Sequence, residues 1–522
     1  MLDTPMARRG MVTSPHHLAS QAGLAVLREG GNAIEAAVAV AATLAVVAPH
    51  RCGLGGDGFW LIAEPGKPPV SIDGSGASAA KADLALYREH GLAAMPQRGP
   101  LAAATVAGVV SSWQLALDIS GQWGGTLPLS RLFADAVDLA RDGVAVSGHQ
   151  ATATAASLTA LKAQPGFAET FLSRRKAPAP GARQCLPALA ATFERLAAAG
   201  LDDFYRGEVG RTLAAGLQAA GSPLRADDLA RHRGMRRRPL SLGLAAGTLY
   251  NTAPPTQGLA SLVILGLFQR LGVTECGGAT HIHALAEATK LAFRVRDGHI
   301  TEPARMSVHA TTYLSDHVLD RIAAEVDMGR AAAWPQASAE DDAVWLGVVD
   351  GHGRAVSVIQ SLCHAFGSGV TLAEAGVVWH NRATGFSLDP TLRAALEPRR
   401  RPYHTLSPAL ARLKDGRVMV YGGTGGDAQP QAQAQVFSRH VMFGEALQAA
   451  VTAPRWRLGR GLELEARFDP EVVDALRRAG HAVEMVGSYD SRMGHAGAIC
   501  RHPDGRLDGA ADPRADGCVA AY

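Results

Sequence analysis

The sequence predicts an α+β fold, in which helices and antiparallel strands pack on one another as layers. Residues 99–143 and 151–221 are rich in Ala and Leu, which is typical of helices. From Val344 onward the chain consists of short apolar runs separated by turn residues, a pattern that indicates strands. The turn Asp350-Gly351-His352-Gly353 lies between two such runs, 344–349 and 355–361, so an antiparallel hairpin is expected there.

Two helices are expected near the N-terminus. Ser14 and Pro15 are the residue types that cap a helix and occupy its first turn. Asn32 begins a second helix, and Glu35 follows three residues later, which is the spacing of a capping box. Residues 36–47 are nearly all apolar, so this helix is predicted to be buried on every side.

Shorter elements complete the predicted fold. Residues 60–70 are interrupted by prolines and are expected to form short strands and a turn. Further helices are predicted at 261–271, 281–297, 432–443 and 471–479, and further strands at 247–251, 377–379, 409–413 and 418–421. The segment 330–342, which contains Pro335 and Ser338, is the best candidate for an exposed loop.

Composition narrows the classes of function. Of the 522 residues, 19% are charged and 47% are hydrophobic, and a net charge of +3 predicts no nucleic-acid partner. The longest apolar run, 36–48, is too short to span a bilayer, and residues 1–20 lack the apolar core of a signal peptide. The six cysteines form no C-x-x-C pair and are expected to be free thiols. We therefore expect a cytoplasmic protein without a membrane partner.

No local motif predicts a metal or a cofactor. The glycines at 53–58 lack the Lys-Ser/Thr of a phosphate-binding loop, so a glycine turn is the simpler interpretation. His281 with His283, like His16 with His17, supplies too few ligands for a catalytic zinc, which needs three and an open position. The motifs G-x-S-x-G and H-E-x-x-H are both absent from the sequence.

Seven motifs spread over nearly the whole chain resemble those of gamma-glutamyltranspeptidases and occur in the same order. They are SPH at 14–16, GGNA at 30–33, GLGGDG at 53–58, PPTQG at 254–258, FGSG at 366–369, GGTGG at 422–426 and DPR at 512–514. The resemblance implies the fold of N-terminal-nucleophile hydrolases, a four-layer αββα sandwich. It also implies a precursor that is cut into a large subunit, 1–342, and a small subunit, 343–522, which together form one intertwined domain.

The stretch Asp342-Ala343-Val344-Trp345 resembles the self-cleavage site of this family. There a Thr follows the scissile bond, and its hydroxyl cuts the chain and then becomes the N-terminal nucleophile. The freed amine, with a pKa of about 8, can act as its base at neutral pH. The resemblance places the cut between Asp342 and Ala343, where a methyl group replaces the hydroxyl.

Other catalytic positions are carried over by the same resemblance. Ser361 matches the hydroxyl residue that hydrogen-bonds the nucleophile, although an ordinary serine at a strand end is an alternative. Gly425 and Gly426 match the pair whose backbone N–H groups form the oxyanion hole. Without the resemblance, a plain glycine turn after the strand at 418–421 would be the preferred interpretation.

The substrate-binding positions depart from a transpeptidase. Ser75 occupies the place of the Arg that holds the glutamyl carboxylate, and the stretch 380–386 contains no Asp for the α-amino group. The run VWLGVVD at 344–350 instead resembles the oxamate amidohydrolase branch of the family, which acts in purine-ring catabolism. Arg382, His404 and Thr405 are the candidates for holding the carboxylate of a small amide, and a purely structural role for Arg382 stays open.

Three explanations account for Ala343. A shifted alignment is disfavoured because 340–346 contains no Ser, Thr or Cys. An engineered Thr→Ala change that traps the uncut precursor is favoured over a natural pseudoenzyme, because Ser361 and the glycine pair are retained. The predicted function is a disabled amidohydrolase of a small amide, with a glutathione hydrolase or transferase, an acylase and a non-catalytic binding protein as alternatives. A homodimer of the precursor, or of large/small pairs, stays open.

Overall fold

Two seven-stranded antiparallel sheets form the middle of the computed structural model, which describes residues 2–334 and 341–522. In spatial order, the first sheet consists of Cys518–Ala521, Met11–Ser14, Asp342–Val349, Ala355–Cys363, Asp57–Ala63, Val70–Gly74 and Met235–Arg237. The second consists of Met6–Ala7, Leu507–Ala511, Ala496–Arg501, Val418–Gly423, Ala409–Leu413, Gly247–Asn251 and Leu240–Leu244. Both sheets therefore contain strands from either side of the 342–343 bond.

Helices cover the outer face of each sheet. Those that share a core with the first sheet are His17–Arg28, Ala33–Val47, Leu84–Glu89, Val109–Gln122, Leu129–Leu132, Ala134–Asp142, Gly148–Leu161, Phe167–Phe171, Pro187–Ala199, Asp203–Arg206, Glu208–Ala220 and Ala226–Arg231. Those on the second sheet's side are Gly258–Arg270, Ala279–His299, Asp316–Ala323, Ala428–Phe437, Leu447–Thr452 and Pro470–Arg478. The predicted α+β class and the αββα layering are confirmed. No helix among the described residues is both long and apolar enough to cross a bilayer.

The helix Ala33–Val47 shows how sequence dictates the inner part of one helical layer. The Asn32 carboxamide oxygen accepts from the backbone N–H groups of Ile34 at 3.0 Å and Glu35 at 3.2 Å, and the Glu35 carboxylate accepts from Asn32 N at 2.8 Å. This is the predicted capping box. All 15 residues of the helix are buried, because it packs between the first sheet and its neighbouring helices.

The strand Asp342–Val349 is covered on both faces. Val344, Leu346 and Val348 point into the helical core, whereas the alternate residues face the second sheet. The indole of Trp345 fills a slot lined by glycines of both sheets. A Cβ on Gly422 would lie 2.1 Å from Trp345 Cδ1, and one on Gly497 would lie 2.5 Å from Cζ3. The absence of side chains on these glycines leaves room for the indole between the sheets.

Several elements differ from the sequence-based expectations. The predicted helix at 432–443 begins earlier, as Ala428–Phe437, and ends in a π-helical turn, Ser438–Met442. Three strands of the C-terminal region were not predicted because Gly and Ala, which are weak strand formers, dominate them. Residues 335–340 of the predicted exposed loop lie outside the described residues. The prediction is wrong for its end, because Asp342 begins a strand and the Asp341 side chain is only 6% exposed.

Minor sheets lie outside the two main ones. They are the pairs Val144–Ala145 with Arg183–Gln184 and Thr371–Leu372 with Val377–Val378, and the three strands Trp456–Leu458, Leu462–Glu465 and Val483–Val486.

Candidate active site

Position 343 lies at the start of a first-sheet strand, where the pairing with the neighbouring strand is irregular. Asp342 pairs with Cys363 but Val344 pairs with Gln360, so the register slips beside residue 343. Such bulges turn side chains away from the regular alternation and are common next to active sites. The methyl group of Ala343 is fully buried in a small apolar cluster with Phe59, Trp345, Ile359 and Leu406.

The Ser361 hydroxyl contacts the predicted scissile bond directly. It donates to the carbonyl oxygen of Asp342 and accepts from Cys363 N at 2.7 Å. A hydroxyl in this position polarises the carbonyl toward attack by a nucleophile at residue 343. The structure therefore brings Ser361 to the 342–343 bond, with its hydroxyl on the Asp342 carbonyl rather than on residue 343, and its role toward a nucleophile stays a prediction.

The Asp342 side chain is held by residues that the sequence analysis missed. Its Oδ1 lies 3.2 Å from Arg51 Nε and accepts from Ala343 N at 3.0 Å. Arg51 Nη1 in turn contacts His495 Nδ1. Burial raises the pKa of Asp342, and Arg51 opposes that rise. Burial, with the neighbouring Arg51 charge, holds the pKa of His495 far below its ordinary value, so this ring is neutral.

A second acidic side chain, that of Asp341, contacts two of the residues that were predicted to bind a substrate carboxylate. Its Oδ2 accepts from Thr405 Oγ1 at 2.7 Å and from Arg382 Nη2 at 3.1 Å. Cys363 Sγ lies 3.3 Å from its Oδ1. Burial alone would raise the pKa of Asp341, but the charge of Arg382, with His364 and Thr405, lowers it to about 2. Arg382 and Thr405 therefore hold a carboxylate, and that carboxylate belongs to the chain itself.

His404, the third predicted carboxylate-binding residue, has a different partner. Its Nε2 lies 2.9 Å from Asp57 Oδ2, and its ring packs edge-on against Phe59. Burial raises the pKa of Asp57 to about 8 and holds that of His404 far below its ordinary value. His404 therefore contacts the buried carboxyl group of Asp57 in the first sheet. Through this contact it can position Thr405, the next residue in the chain.

Gly425 and Gly426 form the turn between the strand Val418–Gly423 and the helix Ala428–Phe437. Their φ angles are +96° and +58°, which favour glycine. Within residues 2–334 and 341–522, no group accepts a hydrogen bond from the backbone N–H of either glycine. Gln257 links this turn to the carboxylate site, because its Nε2 donates to Gly426 O at 2.9 Å and to Thr405 O at 2.7 Å.

Two adjoining clefts open onto these groups. A cleft of about 830 Å³ is lined by Asp341, Arg382 and Thr405. A smaller one of about 320 Å³ is lined by Arg51, Asp342 and Gly425. Both also share His364, Arg457 and Arg492. Arginines line both clefts together with carboxylates, and Arg457 and Arg492 are paired with Glu463 and Asp490.

Two clusters of side chains that could ligate a metal ion are bonded to other residues of the chain. Glu287 lies near His283 and His481, but it accepts from Lys290 Nζ at 2.6 Å and from Ala332 N at 3.0 Å. His283 Nε2 lies 2.9 Å from Asp327 O. The other cluster, Asp341 with Cys363 and His364, is the carboxylate held by Arg382. These contacts give both clusters a structural explanation.

The chain is similar to known proteins over nearly its whole length. A sequence model described as gamma-glutamyltranspeptidase matches residues 19–522. The chain is 51% identical to the oxamate amidohydrolase proenzyme of Klebsiella pneumoniae subsp. pneumoniae over 100% of both chains. It is 38% identical to the glutathione hydrolase-like YwrD proenzyme of Bacillus subtilis over 98% of each. The crystal structure of cephalosporin acylase from Bacillus halodurans superposes with a TM-score of 0.92 at 31% identity, covering 100% of this chain and 97% of that one.

Proposed function

The chain belongs to the gamma-glutamyltranspeptidase family of N-terminal-nucleophile hydrolases, and from this premise we propose that it is the uncut, inactive proenzyme of an amidohydrolase for small carboxylate-bearing amides, with oxamate as the first candidate. The observation that carries the proposal is the carboxylate-binding pair Arg382 and Thr405 beside the 342–343 bond. The full-length likeness to a protein named oxamate amidohydrolase proenzyme supports the choice of substrate.

The proposed processing step needs a hydroxyl at position 343. In a chain with threonine there, that hydroxyl attacks the Asp342 carbonyl carbon while Ser361 donates to the carbonyl oxygen. The C–N bond breaks as the nitrogen takes up a proton, and Asp342 remains joined to the oxygen of residue 343 as an ester. Water then hydrolyses this ester, which separates the two pieces and frees the hydroxyl. Residue 343 now has a free amine that can accept the proton of its own hydroxyl. The methyl group of Ala343 has no lone pair to attack with. Ser361 is bonded to the carbonyl oxygen rather than directed at the carbon, so it is a poor substitute.

The same groups supply the proposed hydrolysis. The hydroxyl adds to the amide carbon of oxamate, and the N–H groups of Gly425 and Gly426 donate to the developing oxyanion. Ammonia leaves with the proton that the amine had taken up, and an ester remains on the enzyme. Water then cleaves the ester and releases oxalate. Arg382 and Thr405 hold the carboxylate group of oxamate, which does not react. His404 positions Thr405, its neighbour in the chain.

Recognition of a γ-glutamyl group is disfavoured by the segment around Ser75. The Ser75 hydroxyl donates to Asp73 Oδ1 at 2.6 Å, and Arg237 Nε lies 3.0 Å from Asp73 Oδ2. Ser75 is uncharged and fully buried, so residue 75 itself cannot pair with a substrate carboxylate. The cleft of about 830 Å³ is much larger than oxamate, which favours an acylase on bulkier amides as the second candidate.

The experiment that tests the proposal restores the hydroxyl with Ala343→Thr. Ammonia release is measured with oxamate and with longer monoamides of dicarboxylic acids, and aniline release is measured with a γ-glutamyl anilide. The proposal expects turnover of oxamate in step with cleavage and none of the anilide. Preferred turnover of a longer monoamide would favour the acylase. A cleaved protein that turns over none of these amides would favour a non-catalytic role.

A further inference from the structure

The Arg382 guanidinium and the Thr405 hydroxyl form a carboxylate subsite, and the chain fills it with Asp341. The Arg382 side chain is 4% exposed and that of Asp341 is 6% exposed. Arg382 Nη2 also lies 3.2 Å from Thr405 Oγ1, so the two donors converge on one place. A buried guanidinium is costly unless an anion pairs with it. The subsite therefore requires an anion in every state in which it stays buried.

The other carboxyl group near Arg382 cannot replace Asp341. Asp57 is buried behind the site, where its Oδ2 bonds to His404 and its Oδ1 accepts from Gly108 N at 3.0 Å. Burial raises the pKa of Asp57 to about 8, so it carries little negative charge at neutral pH. Asp341 is thus the partner that neutralises Arg382 among the residues that the structure describes around the subsite.

Asp341 belongs to the segment that processing would release. It precedes the predicted scissile bond by one residue, and the strand that begins at Asp342 tethers it in place. A tethered ligand has an effective concentration in the millimolar range, which gives even a weak contact high occupancy. Cutting after Asp342 removes this tether and adds a new carboxylate beside two existing ones, and like charges at this distance repel.

We propose that Asp341 is an internal ligand, whose carboxylate occupies the substrate's carboxylate subsite in the uncut chain and leaves it after cleavage. The inference rests on the proposed function and adds a second reason why the uncut chain is inactive. The uncut chain lacks both its nucleophile's free amine and an open anion subsite. The ligand class for the opened subsite is a short monocarboxylate, with the amide of a substrate directed toward residue 343.

The test measures anion binding to the uncut chain, in which Ala343 prevents turnover. Oxamate and acetate are titrated by calorimetry into the parent and into Asp341→Asn, which keeps the size of the side chain and removes its charge. Both anions are expected to bind the variant at least about tenfold more tightly, the equivalent of one charge-assisted hydrogen bond. Asp341→Ala, which also vacates the space, is expected to bind them at least as well. Adding Arg382→Met is expected to remove the gain.

The matched control is Asp342→Asn, which removes a neighbouring carboxylate that pairs with Arg51 instead of Arg382. Any gain in affinity that this control shows comes from the freed Arg51 and should survive the addition of Arg382→Met. Equal affinities for the parent and both Asp341 variants, or a gain in the Asp341 variants that survives Arg382→Met, would overturn the inference. Acetate separates this test from the proposed function. If the hydroxyl-restored enzyme ignores oxamate, acetate still reports whether Asp341 had blocked the subsite.

Discussion

Replacing Arg382 by Met in the uncut chain removes the charge that pairs with Asp341 and keeps a long apolar side chain. The Asp341 carboxylate is nearly inaccessible, with Arg382 Nη2 at 3.1 Å. Removing one member of a buried ion pair costs about 3–5 kcal/mol, because the other charge stays desolvated. Thr405 still donates to Asp341, and the carboxyl can also take up a proton. We therefore expect a loss near the lower end, about 3 kcal/mol of unfolding free energy at neutral pH.

The sign of the pH dependence follows from the pKa of Asp341. In the folded parent this pKa is lowered to about 2. The ion pair's contribution is therefore fully present above the unfolded pKa, about 3.9, and is lost as the pH falls through the folded pKa. Without Arg382 that lowering disappears. The difference in stability between the parent and Arg382→Met should accordingly shrink between neutral pH and about pH 3.

Urea unfolding at both pH values measures this effect, and a double-mutant cycle isolates it. In an Asp341→Asn background the carboxylate that pairs with Arg382 is gone, so Arg382→Met should cost much less than in the parent. An equal loss in both backgrounds, or a loss that does not depend on pH, would refute the view that this pair neutralises a buried carboxylate. It would assign Arg382 to packing alone.

Three further predictions concern processing, binding and packing. The Ala343→Thr chain should cut itself without protease into 1–342 and 343–522, with the smaller piece beginning Thr-Val-Trp-Leu-Gly. Adding Ser361→Ala should slow the cut about tenfold or more. An intact chain, or N-terminal sequencing that finds another cut site, would contradict this assignment. In the cleaved enzyme, Arg382→Ala should raise KM for oxamate about tenfold to a hundredfold while circular dichroism stays unchanged. An unchanged KM would leave Arg382 structural. Gly422→Ala should lower thermal stability by about 1–3 kcal/mol, because its Cβ would lie 2.1 Å from Trp345, whereas Gly243→Ala, which meets nothing within 4 Å, should not.

Local signals were sufficient to predict part of the fold. Asn32, Glu35 and the apolar run behind them specify one helix, and the structure contains it with the expected cap. The hairpin around Asp350 was also read from adjacent residues and is confirmed by the pairing of Asp342–Val349 with Ala355–Cys363. The four layers came from the order of seven motifs rather than from any local pattern, because layering is decided by contacts between distant segments.

The site could be predicted only where a motif carried it. Ser361 contacts the 342–343 bond and Gly425 lines the same cleft as Asp342, while their catalytic roles stay predictions of the resemblance. Asp341 and Arg51 were missed because their roles depend on pairing with Arg382 and Asp342, which are far from them in the sequence. No propensity or spacing rule reports that a charged side chain in an apparent loop will be buried against a distant arginine.

The retention of these costly groups bears on the missing hydroxyl. Buried ion pairs are weak sources of stability, and apolar replacements are often neutral or better. Yet a buried pair, Arg382 with Asp341, and a partly exposed pair, Arg51 with Asp342, lie directly before the 342–343 bond. Next to them lies a glycine turn whose N–H groups are left without acceptors in the described part of the chain. The proposed reaction gives the glycine turn and the Arg382 subsite a use, whereas a scaffold role gives them none. We therefore favour a single Thr→Ala change over a pseudoenzyme, and self-cleavage on restoring the hydroxyl decides between them.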